Sequence, residues 1–176
     1  MRFIETKLQG AYIIELERME DERGYFARAW CQKEFQKYDL KTKIAQCNYS
    51  FNHKKGTLRG MHYQVKPYEE VKMVRCTQGK ILDVIIDLRK DSATYKKWIG
   101  VELTAENNRM LYVPEGFAHG YQTLEDNSVV YYQVTEFYQP GSERGIRWND
   151  PAFNIDWPLE ISFISDKDNS HPDYTE

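Results

Sequence analysis

The stretch "VKMVRCTQGKILDVIIDL", residues 71–88, decides the fold. Two runs rich in β-branched residues, the composition of strand, stand either side of a Thr-Gln-Gly turn. The same grammar recurs outward along the chain in "GAYIIEL" (10–16), "KWIGVEL" (97–103), "RMLYV" (109–113) and "SVVYYQVTEFY" (128–138). Between these runs lie "RKDSA", "TAENN", "PEG" and "EDN", all good turn material. Only "SATYKKW" and "CQKEFQKY" offer even brief helices, so many short strands at close spacing predict an all-β antiparallel sandwich or barrel. At 176 residues, with no repeat, low-complexity tract or Gly/Ser linker, the chain reads as one domain over 1–176. The closing "DKDNSHPDYTE" reads as polar surface, a tail over 169–176 whose preceding residues have room to fold back.

Composition removes several classes of function. Lys and Arg number 24 against 27 Asp and Glu, a net charge of -3, so neither a nucleic-acid surface nor a polybasic membrane anchor is expected. The opening "MRFIETKLQG" lacks the apolar core of a signal peptide, and no later run approaches the length of a membrane span. Cys31, Cys47 and Cys76, an odd number without a C-x-x-C pair, argue against a disulfide framework and for a reducing cytoplasm. Aromatics make up 14% of the chain, thirteen of them tyrosine, which suits a β-rich core or a pocket that stacks flat ligands.

Strand alternation leaves open which side chains line the interior. Lys72 shares a face with Val74 and Cys76, so either a lysine enters the apolar interior or Val71 and Met73 do while Lys72 faces water. Tyr132, Val134, Glu136 and Tyr138 share one face, and Tyr131, Gln133, Thr135 and Phe137 the other. Arg59 and His62 fall on opposite faces unless a bulge at Gly60 turns both inward. Small β-barrels of the cupin type hold a metal through an H-x-H pair and a P-x-G-x-x-H segment. Here "PEGFAH" ends in His119, but Gln64 stands two residues after His62 in "RGMHYQ". Two histidines without a third donor make a poor zinc or iron site, so no metal is expected.

Several segments, "DERGYFARAW", "GTLRGMHYQ", "LYVPEGFAHGY", "VVYYQVTEFYQPGSERGIRWNDPAFNIDWP" and "ISDKD", together with the run from 71 to 103, closely resemble the dTDP-4-dehydrorhamnose 3,5-epimerase family. The resemblance runs in order from about residue 2 to 168. It implies a cofactor-free cupin-type jelly roll acting on a nucleotide-diphosphate 4-keto-6-deoxyhexose for deoxysugar or surface-polysaccharide synthesis. The C4 ketone of such a sugar acidifies the hydrogens on C3 and C5. A base on one face removes one of them and an acid on the other returns it.

Each step asks for a residue type, and the resemblance names a candidate. The base is His62, since imidazole titrates at about 6.5. Asp168 of "SDKD" is its orienting carboxylate. Lys72 is the fixed cation for the enolate oxygen. Tyr132 is the general acid, a phenol of pKa about 10 that carries its proton at neutral pH, with Tyr131 turned away. The resemblance further implies that His119 positions the sugar and its linkage, and that Arg23 and Arg59 hold the diphosphate through forked hydrogen bonds. Gln46, Asn48, Tyr138 and Glu143 are implied contacts to sugar or nucleotide. Residues 1–30 are implied to reach a partner subunit in a homodimer, where Phe26 completes the nucleotide site.

Three positions depart from the family pattern. Arg28 stands where a glutamate is usual, Cys47 replaces the aspartate of "QDN", and Gln133 replaces a frequent lysine. The first two fall on the nucleotide, so CDP and GDP sugars join dTDP sugars as candidates. Inversion at C3, C5 or both is left open. The rival reading is a non-catalytic sugar-nucleotide or carbohydrate-binding cupin; a metal-dependent oxygenase is disfavoured by Gln64.

Overall fold

A computed structural model describes residues 1–175. The strands β1 (Arg2–Glu5), β2 (Tyr12–Glu15), β3 (Met19–Asp21) and β4 (Gly24–Phe26) precede helix α1 (Gln32–Gln36). Then come β5 (Gln46–Asn52), β6 (Leu58–Gln64), β7 (Lys72–Gln78), β8 (Lys80–Asp87), β9 (Trp98–Thr104) and β10 (Met110–Val113). The chain continues through β11 (Phe117–Thr123), β12 (Ser128–Val134) and β13 (Glu143–Gly145) to helix α2 (Asp166–Asn169). One sheet runs β1-β2-β10-β7-β12-β5 and faces a second, β13-β6-β11-β8-β9, while β3 and β4 form a separate hairpin. The named strand pairs are antiparallel, as the all-β sandwich reading requires.

The turn in the opening stretch passes the chain from one sheet to the other. Gly79 sits at φ +72, and a β-carbon there would lie 2.5 Å from Ser128 Oγ, so only glycine turns this corner without strain. The near-continuous apolar runs of β7 and β8 follow from cover on both faces. Val74, Cys76, Ile81, Ile85, Leu103, Leu111 and Val130 fill the space between the sheets. Met73, Val71 and Met110 pack on the outer face of the first sheet beneath Phe35 of α1. Met61, Val84 and Ile86 pack on the outer face of the second beneath Ile146 and Phe153. Alternation in an antiparallel sheet marks one solvated face, and here that mark is lost.

This resolves the two readings of Lys72. Val71 and Met73 are buried, yet under the outer layer, so Lys72 also leaves water by pointing between the sheets; its side chain is 12% exposed. The Gly60 expectation holds as well. Across from β6, the pairing shifts from His119↔His62 to Tyr121↔Arg59, which puts one extra residue in β6 and turns Arg59 and His62 to the same side. Gly60 adopts φ +126, and a β-carbon on it would lie 2.5 Å from Gly120 Cα.

Other expectations are corrected. "SATYKKW" forms turns rather than a helix before β9, because Ser92 and Thr94 hydroxyls both donate to Asp87 Oδ2 at 2.6 Å and compete with helical bonding. The strand over 128–138 stops at Val134, where Val71 N–H donates to Thr135 Oγ1 at 2.9 Å and Phe137 N–H to Glu136 Oε1 at 2.8 Å. Beyond the second helix the chain lies against the sandwich: Arg147 N–H donates to Pro172 O at 3.1 Å, and the Tyr174 ring packs on Phe153. Among the described residues no helix is long and apolar enough to cross a membrane.

Candidate active site

A cavity of about 290 Å³ opens between the sheets. Its first wall is built by register. Asn48, Tyr132 and Val74 are aligned across β5, β12 and β7, and Gln46, Val134 and Lys72 form the adjacent row. All of these except Val74 line the cavity. The opposite wall carries His62 and Gln64 of β6 and Glu143 of β13, whose Cα lies opposite that of Gln64. Facing sheets stand about 10 Å apart, so groups from the two walls can flank a small ring from opposite sides.

His62 is held from behind. Its Nε2 lies 2.7 Å from Asp168 Oδ1, and Gly60 N–H donates to Asp168 Oδ2 at 3.1 Å. An ionised carboxylate only accepts, so Nε2 carries the proton between them, and in the neutral tautomer of the ring the lone pair lies on Nδ1. Burial opposes ionisation of Asp168, but the bond from His62, the charge of His62 and the bond from Gly60 outweigh it and hold the carboxyl below its ordinary range. Sequence order puts Asp168 far from His62; the fold brings it back through α2, where Ser165 Oγ accepts from Asp168 N–H at 3.1 Å as the N-cap.

Lys72 Nζ lies 3.3 Å from Glu70 Oε1, and both side chains are 12% exposed. Lysine is seldom buried without a partner, and Glu70 supplies one here. Tyr132 is pushed above the ordinary phenol value by burial first and by Glu70 second, against the pull of Arg59. The phenol therefore holds its proton. Tyr138 reaches the cavity from the loop after β12, its hydroxyl donating to Glu143 Oε2 at 3.3 Å, while Gln46 Oε1 accepts from Tyr138 N–H at 2.9 Å. Lys167 bonds Glu143 from the other side. Burial works against ionisation of Glu143, but that lysine holds its carboxyl below the ordinary range.

Other sequence candidates fall elsewhere. Arg59 spans the sheets to Asn52 Oδ1 at 2.8 Å and lines a neighbouring cavity of about 310 Å³ that Asp168 also borders. His119 stands opposite His62 but is buried, its Nε2 2.8 Å from Asp83 Oδ1, and it joins neither cavity wall. Cys47 is corrected as a wall residue of this chain: alternation puts it on the outer face of β5, beside Gln133, away from Gln46 and Asn48. Arg23, Phe26 and Arg28 do not reach the cavity within the chain. Arg23 is paired with Asp21 on the β3–β4 hairpin, Phe26 is 64% exposed, and Arg28 bonds Glu34 at 3.2 Å.

Sequence reasoning missed Glu70, Lys167, Asp83 and His171. Asp83 had a signal, an acidic residue inside the apolar run "ILDVII". His171 had none; its ring stands 5.7 Å from that of His62. Burial and the nearby His62 hold its imidazole below the ordinary histidine value.

The chain is similar in sequence and fold to a known group of proteins. The family model described as dTDP-4-dehydrorhamnose 3,5-epimerase matches residues 5–176. A dTDP-4-dehydrorhamnose 3,5-epimerase of Methanothermobacter thermautotrophicus is 47% identical over 95% of this chain and 91% of its own. Another, of Shigella flexneri, is 44% identical over 96% of this chain and 93% of its own. The crystal structure of dTDP-4-dehydrorhamnose 3,5-epimerase from Bacillus anthracis with TDP and PPi bound superposes with a TM-score of 0.95 at 39% identity, covering 98% of this chain and 99% of that one. Sequence and fold together place this chain in the dTDP-4-dehydrorhamnose 3,5-epimerase family.

Proposed function

We propose that this protein inverts C3 and C5 of a dTDP-linked 4-keto-6-deoxyhexose without a cofactor, by proton removal and return through an enolate. The observation that carries the reading is a single cavity with His62 on one sheet and Tyr132 and Lys72 on the other. His62 Nδ1 takes the proton next to the ketone, and Asp168 stabilises the imidazolium that forms. Lys72, its side chain 12% exposed, stabilises the oxyanion, because a fixed and partly buried cation counts for more than one in bulk solvent. Tyr132 returns a proton from the opposite face. Gln46, Asn48, Tyr138 and Glu143 orient the sugar, and Arg59 in the adjoining cavity takes a phosphate of the diphosphate. His119, paired with Asp83 behind His62, supports the sugar side of the site.

The thymine assignment rests on the relatives' names and on the TDP bound to the Bacillus anthracis structure. Homodimerisation belongs to the same reading. Phe26, Met19 and Tyr25 of the β3–β4 hairpin are exposed beside the 89%-exposed Arg23 side chain, an apolar and cationic tip suited to a partner's nucleotide site. A cytoplasmic location is consistent with three free thiols. The test is incubation with dTDP-, CDP- and GDP-4-keto-6-deoxyhexoses in deuterated water, read by NMR and mass. Solvent deuterium at both C3 and C5 of the dTDP sugar is the expected result. Tight binding with no deuterium at either carbon would leave only a sugar-nucleotide binding protein.

A further inference from the structure

We propose that Asp168, His62 and His171 form a binding site for one divalent transition metal ion of the zinc type, and that filling it inhibits the enzyme. One ligand atom from each of these three residues lies within 4.8 Å of the others. Zinc bonds to histidine nitrogen and carboxylate oxygen are about 2.0–2.2 Å long, so tetrahedral ligands stand roughly 3.4 Å apart. The separations from Asp168 Oδ1, 2.7 Å to His62 Nε2 and 3.7 Å to His171 Nε2, bracket that value. Two imidazoles and one carboxylate with a fourth position open is a recurrent zinc donor set, and its nitrogen-oxygen character disfavours Mg²⁺ and Ca²⁺.

The second observation is independent of this spacing. His171 Nε2 is buried with no hydrogen-bond partner, and an orphaned buried nitrogen is costly to keep. The ring is held there by backbone. A β-carbon at residue 145 would lie 2.2 Å from Nε2, so the imidazole occupies space that only Gly145 leaves free on β13. The bond from Arg147 N–H to Pro172 O ties down the segment that carries it. Asp168 is fixed by Gly60 N–H and by the Ser165 cap. The site is thus largely formed before any ion arrives.

The inhibitory effect rests on the proposed role of His62 as the base. A metal ion takes the position of the proton on Nε2, and that proton moves to Nδ1 as the imidazole changes tautomer. The ring stays neutral and no net proton is released. Nδ1 then carries hydrogen, and no lone pair is left to accept one from the sugar.

Co²⁺ is the probe for binding and Zn²⁺ for inhibition, both with the full chain. Titration of wild type with Co²⁺ should give a saturable visible absorption band at one ion per chain, displaced by Zn²⁺. In His171→Gln the apparent affinity should fall at least ~10-fold, since even outer-shell changes at metal sites cost that much. His171→Asn is the second variant if His171→Gln does not fold. Zn²⁺ should abolish wild-type deuterium incorporation, EDTA should restore it, and His171→Gln should need at least ~10-fold more Zn²⁺. The proposal is overturned by the lack of a saturable band, or by a band or an inhibition that is unchanged in the folded variants. A His171-dependent band on a protein that never exchanges deuterium would keep the metal site and defeat the epimerase reading instead.

Discussion

Replacing Asp168 with asparagine tests the site most directly, because the two side chains have nearly the same shape and differ in what they donate. The carboxylate accepts from His62 Nε2 at 2.7 Å on one oxygen and from Gly60 N–H at 3.1 Å on the other. Asparagine has one oxygen to offer. If it keeps the oxygen toward His62, its NH2 faces the Gly60 N–H, and a buried donor left unmatched costs about 1–3 kcal/mol. If it flips, its NH2 faces Nε2, which must become the acceptor, and the proton moves to Nδ1. The catalytic lone pair is then gone. The first outcome destabilises the fold and the second removes the base, and in both the imidazolium loses its counter-charge. We expect Asp168→Asn to lower the deuterium incorporation rate about 10²–10⁴-fold, the range for losing a positioned acid–base group, or about 3–5 kcal/mol of barrier. The assay is single-turnover incubation in deuterated water with NMR detection at C3 and C5. Because both residues act as one unit, His62→Ala combined with Asp168→Asn should be hardly slower than His62→Ala alone. An Asp168→Asn enzyme within about threefold of wild type, or fully additive losses in the double variant, would refute the reasoning.

Tyr132→Phe should slow completed inversion about 10²-fold or more while sparing the first incorporation of deuterium; equal loss of both would mean that the phenol does not protonate the far face. Lys72→Met should lower turnover about 10²–10³-fold and cost up to about 3 kcal/mol of stability in urea unfolding, since Glu70 is left buried without its cation. Adding Glu70→Gln should recover much of that stability and none of the activity. Acid unfolding should depend on Asp87. Burial opposes its ionisation, but bonds from Arg89, Ser92 and Thr94 bring its carboxyl down to about 2. A folded value below the unfolded one stabilises above the unfolded pKa, so roughly 2 kcal/mol present above pH ~4 should be lost as pH falls toward 2. Asp87→Asn should flatten that limb of a stability–pH curve.

Strands were legible where apolar residues fill both faces, as in β7, β8 and β12. They were illegible where the inward positions of a strand are all polar, as in β5. In β5 the inward positions are Gln46, Asn48, Ser50 and Asn52, and the outward ones include Tyr49 and Phe51. The alternation is intact but its polarity is inverted, so it gives no ordinary strand signal. The "FAHGYQT" of β11 hides for a related reason: every residue is buried, yet glycine, histidine and glutamine break the apolar run.

The order of the segments was enough to expect the family, and that resemblance, rather than residue type or spacing, implied the roles of His62, Tyr132, Lys72 and Asp168; alternation alone left Lys72 on either face. What the linear chain could not supply was distance. Glu70 became a partner of Lys72 only when their side chains left water together, and His171 met Asp168 only because α2 folds against β6 where Gly145 leaves room. Cys47 was assigned to the nucleotide by its neighbours in sequence and moved to the outer face by a period of two. Residue identity fixes which protons and charges a side chain can hold. Which of them meet is set by register, by a bulge at one glycine and by the cover on each sheet, and these are properties of the packed whole.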